Sequence, residues 1–492
     1  MQLQHRLSLS VFVTGSSIMI VELVASRILA PTLGTSTLVW TSLIGLILGA
    51  LSLGYWWGGN LADKRPDANI FATLLLCSAA LIWLIPIVAP ILLALLQELT
   101  NQIALRAVII TIVMFCPASV FLGMSSPYAA RLLLERVDES GKTVGRLYAL
   151  STLGSIMGTF LAGFVLLTYF RTSTIMFGVA GTLALTSLLT ISTQKLTRIA
   201  ITGIGAAVLS LFLANQSVFA FGYTTVPTRY QDVRIFPSTD PKTNRDILVW
   251  QTDPLVWQSA LYIDEPHELV FNYLKGYDLY REYIKGNPKR VLLLGGAGYV
   301  YPRHFIDREP DAEIDVVEID GELAEIAKEY FYLEDSARMH LYTGDARTFL
   351  AQTSHTYDVI FGDAYTAVYS IPYHLTTREA LTMVQKKLHS DGMFIVNVIT
   401  ALEGVDAAFL QHFVHTLQQV FAQVDVRQTD PERQPKDVQN ILVFAYNGET
   451  QVLLPAEQEI LFPLQNISIP TTTKILTDEY APIEALTRSF FR

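Results

Sequence analysis

Long apolar runs, separated by short polar connections, dominate the first 220 residues of the chain. Seven of these runs have about 20 residues, the length that an α-helix needs to cross the hydrocarbon core of a bilayer. They cover residues 9–30, 38–58, 70–96, 103–123, 147–169, 173–192 and 199–220. The pattern predicts a helical, multi-span membrane bundle over residues 1–220, with about seven spans.

The hydrophobic period changes after Phe221. Short alternating runs over residues 229–263, broken by prolines, predict a small antiparallel β-region, and residues 267–285 have the spacing of an amphipathic helix. Residues 221–285 are therefore predicted to form a small β-region and a linker helix.

From residue 286 to residue 492, strand and helix patterns alternate. The predicted strands lie within residues 290–298, 314–320, 339–346, 357–363, 392–398 and 441–445, and the clearest helices within 322–330 and 404–421. Strands that alternate with helices build a parallel sheet covered on both faces. The predicted fold is a doubly wound α/β domain, Rossmann-like and of the class I methyltransferase type.

Composition and charge support this division into a membrane half and a soluble half. Hydrophobic residues make up 51% of the chain and charged residues only 16%, against about 25% in soluble domains. Residues 1–220 carry a net charge of +5 and residues 221–492 a net charge of −15. An acidic soluble half argues against a nucleic-acid partner, which needs a basic face. The two cysteines, Cys77 and Cys116, lie in apolar runs, and without Cys/His metal spacing we expect no metal.

The basic residues give conflicting evidence about topology. They cluster in alternate connections, which places these connections and the N-terminus in the cytoplasm by the positive-inside rule. Seven full spans would then place the soluble half outside, whereas a domain that uses an intracellular nucleoside belongs in the cytoplasm. We expect an inner-membrane, multi-pass protein with a cytoplasmic catalytic domain, in which one apolar stretch is re-entrant or interfacial.

Two ionisable residues lie inside the first apolar run. Glu22 and Arg27 are candidates for function because a charged side chain within a span is costly. They either pair with other helices or line a cavity for a cationic or head-group substrate. The small residues Gly154 and Gly158, spaced as in close helix pairs, predict tight packing between spans.

Candidate site residues in the soluble half follow the predicted strands. In a doubly wound sheet, ligands bind beyond the carboxyl ends of the strands. This rule selects the turn 295–298, Glu318, Asp345 and Asp363. The glycines allow close approach to a ligand, and Glu318 is suitably spaced to accept hydrogen bonds from ribose hydroxyls. Since the turn lacks the third glycine of the dinucleotide fingerprint, a mononucleoside such as an adenosyl-sulfonium is favoured over NAD.

These motifs together resemble a known family. Residues 291–296 (VLLLGG), 317–320 (VEID), 344–346 (GDA) and 357–363 (YDVIFGD), with 21–27 (VELVASR) in the membrane half, are similar to spermidine synthase-like aminopropyltransferases. The similarity is to the bacterial branch that is fused to an N-terminal membrane bundle, and it extends over nearly the whole chain.

The resemblance implies a role for each matching position. Asp363 matches the catalytic aspartate, which accepts a proton from the attacking amine. The implied donor is S-adenosylmethionine or its decarboxylated form, a substrate rather than a resident cofactor. Positions that would hold it are Gly295, Gly296 and Gly298, with Glu318 for ribose, Asp345 and Ala346 for adenine, and Gln258. His267 belongs to a segment that resembles the family's Tyr-His-Glu, with Pro266 in place of the tyrosine.

Two acids of the family's pattern are missing. Gly298 replaces the aspartate that grips the aminopropyl ammonium, and Thr366 replaces the aspartate that anchors the diamine. One lost charge-assisted contact costs about 1.5–3 kcal/mol, so a standard diamine substrate is placed in doubt. The loop after Asp363 is aromatic instead, and its side chains either cover the site, cradle a sulfonium or form an ordinary lid. They are Tyr365, Tyr369, Tyr373 and His374.

Three functions stay open at this point. The first is a membrane-anchored aminopropyltransferase that releases 5′-methylthioadenosine. The second is a related enzyme that acts on intact S-adenosylmethionine by methyl transfer, aminocarboxypropyl transfer or elimination. The third is a transporter or sensor whose soluble domain binds the nucleoside without turning it over. The expected partners are a small amine or sulfonium substrate and the lipid bilayer, and homo-oligomerisation is left open.

Overall fold

The computed structural model describes residues 2–33, 37–100, 102–134, 140–213, 218–220, 223–228, 230–252, 256–364, 372–448 and 452–487. The chain divides into two compact units, Met1–Ser217 and Val218–Arg492. The first unit is helical, and the second contains two β-sheets with helices packed on them. Each unit is described by itself below.

Helices make up the described part of the first unit. They are α1 Gln2–Leu33, α2 Thr37–Lys64, α3 Ala68–Leu99, α4 Ile103–Ile110, α5 Cys116–Leu133, α6 Ser140–Phe160, α7 Leu167–Tyr169, α8 Thr172–Ser187 and α9 Gln194–Leu213. Single π-helical turns, Thr111–Phe115 and Leu161–Leu166, join α4 to α5 and α6 to α7. Within the described ranges, five continuous helical segments are long and apolar enough to cross a membrane, judged by length and composition. They are α1, α2, α3, the segment from α4 to α5 and the segment from α6 to α7, and α8 is a shorter apolar helix of 16 residues. These helices are compatible with a multi-pass membrane protein.

Hydrogen bonds that involve the α8–α9 connection and α9 show where these segments lie relative to α1 and α3. Arg6 at the start of α1 donates to the carbonyl of Leu189 (3.2 Å), and the amide of Ser192 donates to Asn69 (2.9 Å). The start of α1, the start of α3 and the α8–α9 connection therefore lie at one end of the unit. Sixteen residues into α9, Ser210 accepts a hydrogen bond from the indole of Trp83 on α3 (3.0 Å). Since α9 begins near the start of α3 and lies along it, the two helices run in the same direction. The expectation that one apolar stretch is re-entrant or interfacial stays a prediction.

Close helix packing in this unit uses the predicted small residues. A Cβ atom at Gly158 of α6 would lie 2.7 Å from the Cα of Ser16 on α1, and one at Gly154 would lie 2.9 Å from the carbonyl carbon of Phe12. Either contact is too short for a side chain, so these glycines let the two helices touch along their backbones. The prediction of tight packing at this pair is confirmed.

Glu22 and Arg27, the two ionisable residues of the first apolar run, have different surroundings in α1. Glu22 is buried within the unit, with 8% of its surface exposed, whereas Arg27 is exposed. This difference agrees with their five-residue spacing, which places them on different helix faces. Their functional roles stay predictions.

The second unit begins with a five-stranded antiparallel sheet. Its strands, neighbours in chain order, are β1 Val218–Ala220, β2 Tyr223–Pro227, β3 Asp232–Thr239, β4 Asp246–Gln251 and β5 Ser259–Tyr262. Two short helices follow, α10 Asn272–Tyr277 and α11 Tyr280–Tyr283. The single helix predicted over 267–285 is therefore wrong. The chain turns at Asp278, whose carboxylate forms hydrogen bonds with His304 (2.9 Å) and Tyr301 (3.3 Å) of α12. These contacts with another helix interrupt the single helix that the hydrophobic period of the segment predicts.

An eight-stranded mixed sheet forms the rest of the second unit. Its strands are β6 Arg290–Leu294, β7 Glu313–Glu318, β8 Met339–Thr343, β9 Tyr357–Gly362, β10 Leu388–Thr400, β11 Gln423–Gln428, β12 Gln439–Tyr446 and β13 Leu464–Gln465, in the order β13-β11-β12-β10-β9-β6-β7-β8. The helices are α12 Val300–Arg308, α13 Glu322–Tyr330, α14 Ala346–Gln352, α15 Tyr373–Thr376, α16 Arg378–Lys387, α17 Ala408–Leu417, α18 Ala456–Leu461 and α19 Ile483–Leu486.

The predicted fold class is confirmed, with one correction. Strands β6 to β10 pair in parallel, as predicted, but β12 lies antiparallel between β10 and β11, so the sheet is mixed rather than purely parallel. Side chains alternate between two apolar layers. Leu293 and Phe361 pack on the side of α10 and α12, while Leu292 and Ile360 pack on the side of α16 and α17.

Candidate active site

The candidate site lies where the strand order reverses, between β6 and β9. From β6 the chain proceeds to β7 and β8 on one side, and then returns to β9 on the other. The amide of Asp363 donates to the carbonyl of Leu294 (2.8 Å), so the ends of these two strands are adjacent. Gly295, next after Leu294, has a φ of +98°, and a Cβ atom there would lie 2.7 Å from the carbonyl carbon of Asp363. Only glycine satisfies both conditions.

The glycine turn and Glu318 are held together by hydrogen bonds. One carboxylate oxygen of Glu318 accepts from the amide of Gly296 (2.8 Å), and the other accepts from the amide of Asp320 (3.1 Å). The amide of Gly295 donates to the carbonyl of Val317 (2.9 Å). The amide of Ala297 also donates to the first oxygen, over a longer distance of 3.4 Å. The second oxygen, which accepts only from Asp320 among these amides, keeps a further lone pair for a hydroxyl group of a ribose.

Asp345 lies at the next strand end and caps α14. It accepts from the amide of Thr348 (2.8 Å), and Nε2 of His374 lies 3.2 Å from its second oxygen. Burial would raise the pKa of Asp345, but the hydrogen bonds from Thr348 and the nearby His374 lower it overall. Gly344 donates to the carbonyl of Glu318 (2.9 Å), so the two carboxylate positions are adjacent. Ala346, the first residue of α14, is buried beside them.

Asp363 is enclosed by neutral hydrogen-bond donors. The amide nitrogen of Asn397 on β10 donates to its Oδ1 (3.1 Å), and the hydroxyls of Tyr273 and Tyr277 on α10 also donate to it. Burial raises the pKa of Asp363 to about 6, and these three hydrogen bonds oppose the rise. The side chain therefore titrates near neutral pH, in the range that a general base uses.

An apolar pocket lies on the other face of the sheet at the same edge. Its lining includes Leu294, Leu350, Ala364, Pro372, Leu375 and Phe409. Gly362 also lines it, while Asp363, one residue further, faces the tyrosines of α10. Because successive side chains of a strand point to opposite faces of a sheet, the apolar pocket and the carboxylate of Asp363 lie on opposite faces at the end of β9. Such a pocket suits a flat, weakly polar group, and the carboxylate suits a cation.

Gln258 and the glycine turn are joined through the first sheet. The amide of Gly298 donates to the hydroxyl of Ser259, the first residue of β5 (3.1 Å). Gln258 itself accepts from the amide of Thr252 (2.6 Å), which fixes its side-chain oxygen. The start of β5 is therefore beside the turn.

Position 298 is closed to a side chain. A Cβ atom at Gly298 would lie 2.9 Å from the Cβ of Ser259 and 3.1 Å from a ring carbon of Phe331. The aspartate that the family carries here would not fit without a shift of both neighbours. The departure seen in the sequence therefore has a packing basis.

His267 and part of the aromatic loop stand apart from this arrangement. His267 is exposed and pairs with Asp307, near the end of α12, so no described contact links it to the strand ends. His374 contacts Asp345 rather than Asp363, and Tyr373 beside it is exposed. Tyr365 and Tyr369 lie outside the described residues. Groups of three or more His, Cys, Asp or Glu that could hold a metal do not occur in the described ranges.

Several contributors to the site are missing from the residues predicted from the sequence. Tyr273 and Asn397 contact Asp363 from elements about 90 and 34 residues away along the chain. Asp320 is buried, accepts from the hydroxyl of Thr228 (2.5 Å), and holds Glu318 through its amide. Burial raises the pKa of Asp320 to about 6. The motif VEID contains Asp320, which is the signal that could have identified it.

Comparisons with known proteins agree with this geometry. Residues 280–437 match the family model of the spermine/spermidine synthase domain. A polyamine aminopropyltransferase of Vibrio vulnificus is 27% identical over 215 residues, which are 40% of this chain and 70% of that protein. One from a Synechococcus strain is 35% identical over 147 residues, which are 28% of this chain and 46% of that protein.

A solved structure aligns with the chain over a similar extent. The crystal structure of a probable spermidine synthase from Corynebacterium glutamicum aligns with a TM-score of 0.45 at 22% identity, over 52% of this chain and 95% of that one. The family-model match is confined to the second unit, so the resemblance of the membrane half stays a prediction. Residues 280–437 of this chain therefore match the spermine/spermidine synthase domain, the family that the motifs of the second unit resemble.

Proposed function

We propose that this protein is a membrane-anchored transferase that takes an aminopropyl group from an S-adenosylmethionine-type sulfonium and releases 5′-methylthioadenosine. The observation that carries the proposal is the position of Asp363. It is a largely enclosed carboxylate, held by three neutral donors, at the end of the strand beside the glycine turn and Glu318.

The residues that bind the nucleoside lie on one face of the sheet edge, and the residue that accepts the proton lies on the other. Glu318 accepts hydrogen bonds from the ribose hydroxyls, and Asp345 with the apolar pocket receives the base. On the other face, the nitrogen of a neutral amine attacks the carbon next to the sulfonium. A C–N bond forms, the C–S bond breaks, and its electron pair returns to sulfur to give a neutral thioether. Asp363 accepts the proton that the nitrogen loses.

A second candidate is favoured by the closed position at Gly298. A side chain at position 298 would meet Ser259 and Phe331. The domain therefore offers no space there for an aspartate that would bind the ammonium of decarboxylated S-adenosylmethionine. The carboxylate of intact S-adenosylmethionine would be repelled by such an acid. The same site would then carry out methyl transfer, aminocarboxypropyl transfer or elimination.

Product analysis distinguishes these functions. The purified full-length protein is incubated with S-adenosylmethionine or its decarboxylated form, with and without putrescine, and adenosyl products are separated. We expect methylthioadenosine from the decarboxylated donor only when the amine is present. Methylthioadenosine from S-adenosylmethionine alone would show elimination, and S-adenosylhomocysteine would show methyl transfer. Binding of the nucleoside without any product would contradict an enzymatic role and favour a sensor or transporter.

We further propose that the second unit faces the cytoplasm, where sulfonium donors are made. If α1 to α9 provide seven crossings, the basic end of the first unit then faces outward, against the positive-inside rule. Single cysteines at the exposed positions 335 and 195, in a variant with Cys77 and Cys116 replaced by alanine, resolve this conflict. In intact cells, we expect a membrane-impermeant maleimide to label position 195 and to label position 335 only after permeabilisation. Labelling of position 335 in intact cells would show that the second unit faces outward. The site would then lie on the other side of the membrane from its donor, which would contradict the proposed function.

A further inference from the structure

Tyr299 follows the glycine turn, directly before α12, in a backbone conformation that is unusual for a bulky residue. Its φ is +54° and its ψ is +26°, in the left-handed region, which residues with large side chains rarely adopt. Conformations of this kind persist only where the surrounding structure enforces them, and they cluster at active sites and ligand contacts. The contacts of the Tyr299 side chain indicate what this conformation serves.

The hydroxyl end of the Tyr299 ring lies against Gly296. A Cβ atom at Gly296 would be 2.8 Å from the ζ carbon of Tyr299 and 3.1 Å from its hydroxyl oxygen. The amide of the same glycine donates to the carboxylate of Glu318 (2.8 Å). The Tyr299 hydroxyl and the Glu318 carboxylate therefore both border Gly296, at the place proposed for the ribose.

The backbone amides of residues 295–299 all donate within the protein, over distances of 2.8–3.4 Å. Their acceptors are Val317 for Gly295, Glu318 for Gly296 and Ala297, Ser259 for Gly298, and Gly296 for Tyr299. A ligand bound at this turn therefore receives no hydrogen bond from these five amides. The sequence of the segment is GGAGY, in which the tyrosine has the only polar side chain.

The Tyr299 hydroxyl is unpaired and open, although the residue is buried. Only 2% of the surface of Tyr299 is exposed, and its hydroxyl forms no hydrogen bond with any residue in the described ranges. Enclosed side-chain atoms that lack a partner occur elsewhere in the described part of the second unit, for example at Trp250 and Arg303, and the Tyr299 oxygen is not one of them. This oxygen is therefore accessible to a ligand at the turn.

A ribose hydroxyl needs both an acceptor for its hydrogen and a donor for its oxygen. Glu318, as a carboxylate, can only accept. Burial and the nearby carboxylates of Glu318 and Asp320 raise the pKa of Tyr299 above its usual value, so its hydroxyl keeps its proton at neutral pH. A protonated tyrosine hydroxyl can donate, and it thus complements the carboxylate beside it.

We propose that Tyr299 is a nucleoside-binding residue, whose hydroxyl donates a hydrogen bond to the oxygen of a ribose hydroxyl beside Glu318. This inference rests on the proposed function, in which the ribose of the sulfonium donor lies at Glu318. It also gives the left-handed conformation of Tyr299 a role, since this conformation accompanies the packing of the ring on Gly296.

Deoxynucleoside analogues test this contact. Tyr299→Phe keeps the ring and removes the hydroxyl, and calorimetry on the purified full-length protein measures the dissociation constants of 5′-methylthioadenosine and of its 2′-deoxy and 3′-deoxy analogues. Losing one hydrogen bond between neutral groups should raise the dissociation constant of methylthioadenosine about fivefold. The analogue that lacks the contacted hydroxyl should bind Tyr299→Phe and the wild type equally well, and the other analogue should lose affinity as methylthioadenosine does.

Tyr301→Phe is the matched control. Tyr301 lies two residues further along the chain and is equally buried, and its hydroxyl donates to Asp278 (3.3 Å) rather than facing the turn. We expect Tyr301→Phe to bind all three ligands as the wild type does. Thermal unfolding without ligand checks that both variants are folded.

Two outcomes would overturn the inference. One is a dissociation constant of methylthioadenosine that is the same in Tyr299→Phe and the wild type. The other is a loss of affinity by the same factor for methylthioadenosine and for both analogues, which is what a purely structural effect produces. A wild-type protein that binds none of the three ligands would instead contradict the proposed function, so the two failures are distinguishable.

Discussion

Replacing Asp363 with asparagine should lower the rate of methylthioadenosine release by a factor of about 10²–10⁴, the usual contribution of a general base. Asparagine has nearly the volume of aspartate, and its side-chain oxygen can still accept from Asn397 and the tyrosines of α10. It cannot accept the proton that leaves the amine. The substitution thus removes the proposed chemical step and preserves the local packing.

Nucleoside affinity should be almost unchanged in the same variant. The carboxylate of Asp363 faces α10, while Glu318 and the apolar pocket, which are proposed to hold the nucleoside, lie elsewhere along the sheet edge. Calorimetric titration with methylthioadenosine gives the dissociation constant, and initial rates give the turnover. Asp335→Asn, at an 87% exposed position on the surface of the domain, is the matched control and should behave as the wild type.

The pH profile adds a second criterion for this residue. Because the pKa of Asp363 is raised to about 6 by burial, the ionised base predominates above that pH and is lost below it. The wild-type kcat/KM should therefore fall about tenfold per unit well below pH 6, and the residual activity of Asp363→Asn should lack this limb. Unchanged turnover in the variant would remove Asp363 from the mechanism.

The strand-end residues of the site could be predicted because each depends on local pattern and on one topological rule. Glu318, Asp345 and Asp363 each follow an apolar run, and the carboxyl ends of parallel strands meet at one edge of a sheet. The structure places them there in succession, linked through Gly344 and the glycine turn. Their binding and catalytic roles remain proposals, since position alone does not establish chemistry.

The partners of these residues could not be predicted, for a physical reason. Hydrophobic period identifies which side of an element is buried, but it carries no information about the element that covers it. Tyr273 faces Asp363 from α10, Ser259 contacts Gly298 from the first sheet, and Asn397 contacts Asp363 from a neighbouring strand. Each of these contacts depends on tertiary structure.

The direction of β12 was missed for a related reason. Its core, residues 441–445, is a continuous apolar run, because both faces of a central strand are covered. Such a run has the same appearance in a parallel and in an antiparallel strand. The alternation of strands and helices earlier in the chain favoured a parallel arrangement, and the structure shows antiparallel pairing with both β10 and β11.

Replacing Glu318 with glutamine should produce the complementary defect, a loss of nucleoside affinity. Both oxygens of Glu318 already accept backbone amides, at 2.8 Å from Gly296 and 3.1 Å from Asp320. In glutamine, one oxygen becomes an NH₂ group, which would face an amide N–H instead of accepting from it. The variant would also lose one of the two charged acceptors proposed for the ribose hydroxyls.

The size of the loss follows from the number of hydrogen bonds. Two hydrogen bonds to a charged group contribute about 1.5–3 kcal/mol each, so weakening both raises the dissociation constant of methylthioadenosine about 10²-fold or more. Calorimetry on Glu318→Gln measures this change, and Glu325→Gln, at a 75% exposed position on α13, is the control. An unchanged dissociation constant would show that Glu318 does not bind the ribose. At saturating donor, Glu318→Gln should recover much of its turnover while Asp363→Asn should not, because the first residue is proposed to bind the substrate and the second to accept its proton.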